Sequence, residues 1–208
     1  MRMLHARELR DYTAHALLRD GDSILVRAVK ASDKPLLLEL FHGLSEESVR
    51  HRAFGSKKGL TQKEVAYLTE LDFVQHVALA AILPANGEER MIGVGRYIRT
   101  HAHGVAVAPA EIAFAVVDEY QAHGVGTLLL EHLARIASAE GVDELHAEVM
   151  ADNTRMMDVF RKSGFVTRTS LHDGIYDVAF PTGATKASVD AGVARKRHAT
   201  AARLRHES

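Results

Sequence analysis

The chain has 208 residues, 47% hydrophobic and 25% charged, with a formal net charge of −1, the balance of one ordinary globular domain. No apolar run approaches the roughly 18 residues of a membrane span, the N-terminal MRMLHARELRDYTAH lacks a signal-peptide core, and the near-zero charge argues against a general nucleic-acid binder. The absence of cysteine excludes a disulfide framework, a thiolate metal site and a cysteine nucleophile.

The first expected strand is SILVRAV (23–29), which alternates and is rich in β-branched residues. Ser32 then precedes DKPLLLELFHGL, a cap followed by a helical run. Ser45 opens a second short helix, SEESVRHRAF. Thr61 and Glu64 have capping-box spacing and open a third. VQHVALAAIL (74–83) and RMIGVGRYIRT (90–100) predict two antiparallel strands joined by the turn at PANGE. AVAPAEIAFAVV (106–117) predicts another strand. A helix follows, with Leu129, Leu133, Ile136 and Ala137 on one face, an expected Glu131–Arg135 pair and a stop at Gly141. VDELHAEVM (142–150) predicts a strand. Asn153 or Asp152 then caps TRMMDVFRKS, which Gly164 closes, and 166–171 with 174–180 predict a final hairpin. The order predicts an α+β fold: one mixed central β-sheet flanked by α-helices.

Charge divides the chain. Residues 1–182 carry a net −5, and residues 183–208 a net +4. The expected organisation is an N-terminal extension (1–21), a domain (22–182) and a basic C-terminal tail (183–208), the tail solvated or loosely helical. His101 and His103 form the one tight histidine pair. They fall in an expected turn without nearby carboxylates, so no metal site is expected.

Between strand and helix stands QAHGVGT (121–127). Its glycines permit a tight turn and close backbone approach to a ligand. The helix that follows starts with unpaired N–H groups and a positive dipole end, suited to a pyrophosphate. A P-loop would need a lysine after Gly126, and Thr127 stands there. A dinucleotide fingerprint would need a third glycine where Leu129 stands.

The pattern Gln121-x-x-Gly124-x-Gly126, followed by N153-TRMMD-V-F160-RKS-G164-F165, resembles the acetyl-CoA signature of the GNAT acyltransferase superfamily. The likeness covers roughly residues 22–180. Within it, the segment from LRDGDSILV to FVQHVALAA, then GVGRYIR and AEIAFAVVDEYQAHGVGTLLLEHL, looks like bacterial protein lysine acetyltransferases of the Pat type. Those proteins often carry a fused regulatory domain, which is not expected here, with 21 residues before the expected domain.

The resemblance implies a cytoplasmic, acetyl-CoA-dependent, metal-free N-acetyltransferase. Its acceptor would be a protein lysine, for example on an acyl-CoA synthetase; a homodimer is a further expectation. The main chain of Gln121, Ala122, His123, Gly124, Val125, Gly126 and Thr127 would hold the pyrophosphate. The strand at Phe114, Ala115 and Val116 would splay from its neighbour, take the pantetheine arm and polarise the thioester carbonyl. Asn153 would bond the same arm or cap its helix. Phe160, expected at the cofactor site, stands where many relatives have a tyrosine that protonates the departing thiolate, and it has no proton to give. A lysine ammonium has a pKa of about 10.4, so a base helps. Glu111, in A110-E111-I112-A113-F114, matches the Pat-type base, and partial burial in that apolar strand would favour proton uptake. Glu46, Glu47 and Arg50 lie on helices that form a wall of the acceptor groove in the superfamily. A small amine as acceptor, or acetyl-CoA sensing without turnover, are the alternatives.

Overall fold

The computed structural model describes residues 6–53, 58–85, 87–100 and 109–206. Among these residues eight strands form one open sheet: β1 (Thr13–Leu17), β2 (Ser23–Ala28), β3 (His76–Ala85), β4 (Glu88–Arg99), β5 (Ala110–Val116), β6 (Glu144–Met150), β7 (Arg168–His172) and β8 (Ile175–Pro181). Their order across the sheet is β1-β2-β3-β4-β5-β6-β8-β7. Every neighbouring pair is antiparallel except β5 and β6. Among the described residues seven α-helices accompany them: α1 (Ala6–Arg10), α2 (Lys34–His42), α3 (Glu46–Ala53), α4 (Gln62–Thr69), α5 (Val125–Ala139), α6 (Thr154–Ser163) and α7 (Lys186–His206). The expected mixed sheet with flanking helices is therefore present.

Most elements lie where the sequence pattern predicts, for the predicted reasons. Thr61 Oγ1 accepts from the Glu64 N–H, and Glu64 Oε2 accepts from the Thr61 N–H at 2.8 Å, a complete capping box. Asn153 Oδ1 accepts from the Met156 N–H at 3.0 Å and caps α6, while Gly164 ends it at φ +79°. Ser32 is not the cap of α2. Asp33 takes over the helix start, accepting from the Lys30 N–H at 2.8 Å and pairing with the buried Arg27 at 2.8 and 2.9 Å. The expected strand over 106–117 runs from Ala110 to Val116; residues 101–108, with His101 and His103, lie outside the described residues.

Both ends of the chain join the fold more closely than composition suggests. β1 pairs with β2 over five residues, from Thr13↔Arg27 to Leu17↔Ser23. Leu9 and Leu18 are buried. At the other end, α7 is a 21-residue helix whose Ala199 and Ala202 are buried. Glu131 does not pair with Arg135: it forms an ion pair with Arg195 on α7, while Arg135 donates to the Tyr12 hydroxyl. Arg195 also donates to the Lys162 carbonyl at 2.6 Å, so one side chain joins α5, α6 and α7.

α5 is the helix that sets up the site. Its Leu129, Leu130, Leu133 and Ile136 are buried against the sheet. β4 makes room for it with glycine: a Cβ on Gly93 would lie 2.7 Å from Val125 Cγ1. A side chain there would lift the first turn of α5 off the strands. Each fully buried leucine in this layer contributes about 1.5–3 kcal/mol.

Candidate active site

β5 pairs with β4 along its whole length, from Gly93↔Val116 to Arg99↔Ala110. With β6 it pairs only at Ala110↔Leu145 and Glu111↔His146. Beyond that point β5 follows β4 while β6 follows β8, paired from Glu144↔Pro181 to Met150↔Ile175. The two parallel strands therefore part, and a cleft of about 350 Å³ opens between them. Its size is that of a small-ligand pocket.

Hydrogen-bond parity fixes which main-chain groups face the gap. The Val117 N–H donates to the Ile92 carbonyl, and the Thr100 N–H to the Pro109 carbonyl, both at 3.0 Å. Antiparallel bonded pairs recur every second residue, so Glu111, Ala113 and Ala115 turn their main chain to β4. Ile112, Phe114 and Val116 turn theirs toward the opening. Of the three residues expected to hold an extended ligand arm, Phe114 and Val116 offer main-chain groups. Ala115 lines the cleft without them.

The loop closes one end of the gap. A 3₁₀ turn at Asp118–Tyr120 leads into Gln121. Ala122 and Gly124 both take left-handed backbone, at φ +64° and +96°, and α5 begins at Val125. For Ala122 that conformation costs about 1–2 kcal/mol. It is braced by Arg19, whose Nη1 donates to the Ala122 carbonyl at 3.1 Å and whose N–H donates to the His123 carbonyl at 3.0 Å. The first-turn N–H groups of α5 then point into the cleft, the arrangement that suits a phosphate.

Gln121 behaves as a hub. Its Nε2 donates to Ser48 Oγ at 3.0 Å and to the Val116 carbonyl at 3.1 Å, and its Oε1 accepts from Arg155 at 2.7 Å. Asp118 sits beside it, accepting from the Ser45 N–H at 3.1 Å. Burial pushes the Asp118 carboxyl up, but its hydrogen bonds outweigh that and hold it below the usual range.

Most residues expected at the site come together on this cleft: Glu111, Phe114 to Val116, Gln121, Ala122, Gly124 to Thr127 and Asn153 all line it. Two do not. His123 turns away, its Nδ1 bonded to the Gln121 carbonyl at 2.8 Å and its Nε2 3.7 Å from Asp20. Phe160 is 1% exposed and packs on Phe180 at 5.5 Å, because the apolar stripe of α6 carries it into the core. Glu111 is exposed rather than partly buried: it is the last residue of β5 to pair with β6, on a strand in contact with α3.

Sequence reasoning missed the cationic wall. Arg19, Arg52 and Arg155 all line the cleft. Arg155 sits two residues after the capping Asn153, a spacing that puts it on the first turn of α6. Nothing in the sequence ties Arg19 or Arg52 to the loop. Burial depresses the Arg52 guanidinium, and the charge of Glu111 partly restores it. Across the cleft, Arg50 and His51 of α3 clasp Asp152 at 2.7 and 3.0 Å. On the same face of the sheet as Glu111, buried Arg96 donates to His76 Nε2 at 3.0 Å and to the Leu68 carbonyl at 3.2 Å. Burial and the Arg52 charge lower Arg96 to about 9.

A mixed sheet that parts beside a loop-capped helix can hold an extended, anion-tipped ligand with its reactive end against the strands. Comparison with known proteins agrees. The model of the acetyltransferase (GNAT) family matches residues 48–165, and the chain belongs to that family. It is 28% identical over 149 residues to acetyltransferase PA5475 of Pseudomonas aeruginosa, covering 72% of this chain and 78% of that protein. It is 30% identical over 149 residues to acetyltransferase Pat of Mycolicibacterium smegmatis, covering 72% of this chain but 43% of that protein. The solved GNAT domain of S. lividans PAT superposes with a TM-score of 0.73 at 36% identity, covering 81% of this chain and 96% of that domain. Salmonella typhimurium yncA, solved with acetyl-CoA, shares the fold at 16% identity and a TM-score of 0.60, covering 79% of this chain and 97% of that one.

Among the described residues no helix is long and apolar enough to cross a membrane. No three His, Asp or Glu residues among them could together hold a metal ion.

Proposed function

We propose that this acetyltransferase moves an acetyl group from acetyl-CoA to the side-chain amine of a protein lysine, by direct attack with Glu111 as general base. The observation that carries the reading is the parting of β5 from β6, with Glu111 at its closed end and the helix-capped loop at the other. An extended thioester laid along β5 has its pyrophosphate at residues 122–127 and its acyl group beside Glu111.

The main-chain groups of Phe114 and Val116 take the pantetheine arm in the manner of an added strand edge. One of these N–H groups polarises the thioester carbonyl as charge develops on its oxygen. The amine nitrogen attacks the carbonyl carbon, its proton passes to the Glu111 carboxylate, and the carbon–sulfur bond breaks to release the CoA thiolate. Phe160 has no part in protonating that thiolate: it has no proton to give, and its ring is in the core. The exposure of Glu111 suits an acceptor that stays folded outside the cleft and offers one side chain. The Pat-named relatives support a protein acceptor.

The test is acetyl-CoA titration paired with free-thiol release, then mass spectrometry of lysine acetylation on acyl-CoA synthetases. Acetylated lysines with matching thiol release are expected. Release with free amines alone would move the acceptor to a small molecule, and binding without release would make the chain a sensor.

A further inference from the structure

We propose that Arg19, from the turn between β1 and β2, binds the 3′-phosphate of acetyl-CoA and makes the enzyme selective for CoA over 3′-dephospho-CoA. The inference rests on the acetyl-CoA site described above and adds a residue to it from the segment before β2.

Three observations place Arg19 there. It lines the cleft together with Ala122, Gly124 and Gly126. Its side chain passes over the loop: a Cβ on Gly124 would lie 3.6 Å from Arg19 Cγ and 4.0 Å from Nε. Two hydrogen bonds fix its place, from its N–H to the His123 carbonyl and from Nη1 to the Ala122 carbonyl. The second bond engages one of the five guanidinium donors, and Arg19 forms no ion pair with a carboxylate among the described residues. An exposed arginine fixed at one corner and without a counter-charge is prepared for an anion.

The anion follows from the direction of the ligand. Glu111 marks the acyl end, and the first turn of α5 takes the pyrophosphate. Arg19 lies on the far side of that turn from Glu111, where the remaining charged group of CoA is its 3′-phosphate. A planar guanidinium with spare donors suits a phosphate better than an ammonium does. Lys162, also on the cleft, is already engaged by Asp158 at 2.6 Å. Arg155 is turned to Gln121.

The test needs no acceptor. Dissociation constants for CoA and for 3′-dephospho-CoA are measured by isothermal titration on the wild type, Arg19→Ala and Arg19→Lys. The wild type is expected to prefer CoA by about tenfold or more, the loss typical of one charged contact to phosphate. Arg19→Ala is expected to weaken CoA binding by about that factor and leave 3′-dephospho-CoA within about twofold, with Arg19→Lys between. Equal weakening of both ligands would overturn the proposal, since it would assign Arg19 to the pyrophosphate or to loop support. Unchanged binding of both would overturn it too. Failure of the wild type to bind either ligand would instead defeat the acetyl-CoA site itself.

Discussion

Gln121 Oε1 accepts a hydrogen bond from Arg155 Nη1 at 2.7 Å, joining the glycine loop to the first turn of α6. With its Nε2 on Ser48 and the Val116 carbonyl, the same amide ties α3, β5 and α6 around the cleft. The side chain of the residue that opens the loop is thus engaged by protein groups on three sides. Replacing it by Ala is expected to weaken CoA binding about tenfold, since each lost bond is worth about 0.5–1.5 kcal/mol. Gln121→Glu is expected to do worse, because a carboxylate there meets Asp118 and the Val116 carbonyl. Titration calorimetry checks both, and equal binding by all three proteins would refute the role.

Glu111 stands where the parallel pairing of β5 and β6 ends. Its removal touches no core contact, so Glu111→Gln is expected to keep its melting temperature and its affinity for acetyl-CoA. Turnover is expected to fall about 10²- to 10⁴-fold at neutral pH, the usual worth of a positioned base. Recovery of rate at high pH, where the acceptor amine loses its proton unaided, would accompany the loss. Wild-type turnover in the variant would end the assignment.

Gly21 and Gly87 share left-handed backbone, at φ +100° and +88°, but differ in what surrounds them. A Cβ on Gly21 would lie 2.5 Å from the Arg203 main-chain nitrogen on α7, whereas one on Gly87 meets nothing within 4 Å. Both alanine variants incur about 1–2 kcal/mol of backbone strain. Gly21→Ala adds about 1–3 kcal/mol of overpacking and is expected to melt about 2–12 °C lower than Gly87→Ala. Early protease cleavage of α7 in Gly21→Ala is expected as well. Equal melting of the two would mean that α7 docks less tightly than this contact requires.

Two histidines make the fold acid-sensitive. Burial and the Arg96 charge lower His76 to about 4, and burial with the Arg135 charge lowers His132 to about 4, from 6.5. Below pH 6.5 the unfolded chain takes up protons that the folded protein refuses until about pH 4. The stabilising contribution is therefore complete above pH 6.5 and is lost as pH falls toward 4. Each histidine adds a slope of up to about 1.4 kcal/mol per pH unit across that window. His76→Gln keeps an acceptor for Arg96 and is expected to flatten the dependence by about half. Denaturant unfolding at pH 6.5 and 4.5 measures it, and an unchanged slope would show that His76 does not carry it.

Much of the site was legible along the chain because its parts are local. The loop, the α5 start, the Asn153 cap and Glu111 lie within short, strongly patterned stretches. The errors came where distant segments meet. Glu131 has a favourable partner four residues on, at Arg135, yet the docking of α7 brings Arg195 to it instead. His123 belongs to the loop by sequence, and only the fold shows that its ring turns to the Gln121 carbonyl and Asp20 and away from the cleft. Phe160 matches its motif in sequence while its ring belongs to the core.

The sequence by itself determined the local conformations: caps, strand alternation, the glycine turn and the helix whose N–H groups close the cleft. Those depend on residues within a few positions of one another, so a linear pattern carries them. Only the tertiary structure decided that β5 and β6 part after one short parallel contact, which main-chain groups face the gap, and that Arg19, Arg52 and Arg155 gather on it. Each of these depends on strand register and on side chains brought together from remote segments, and no local pattern encodes such a meeting.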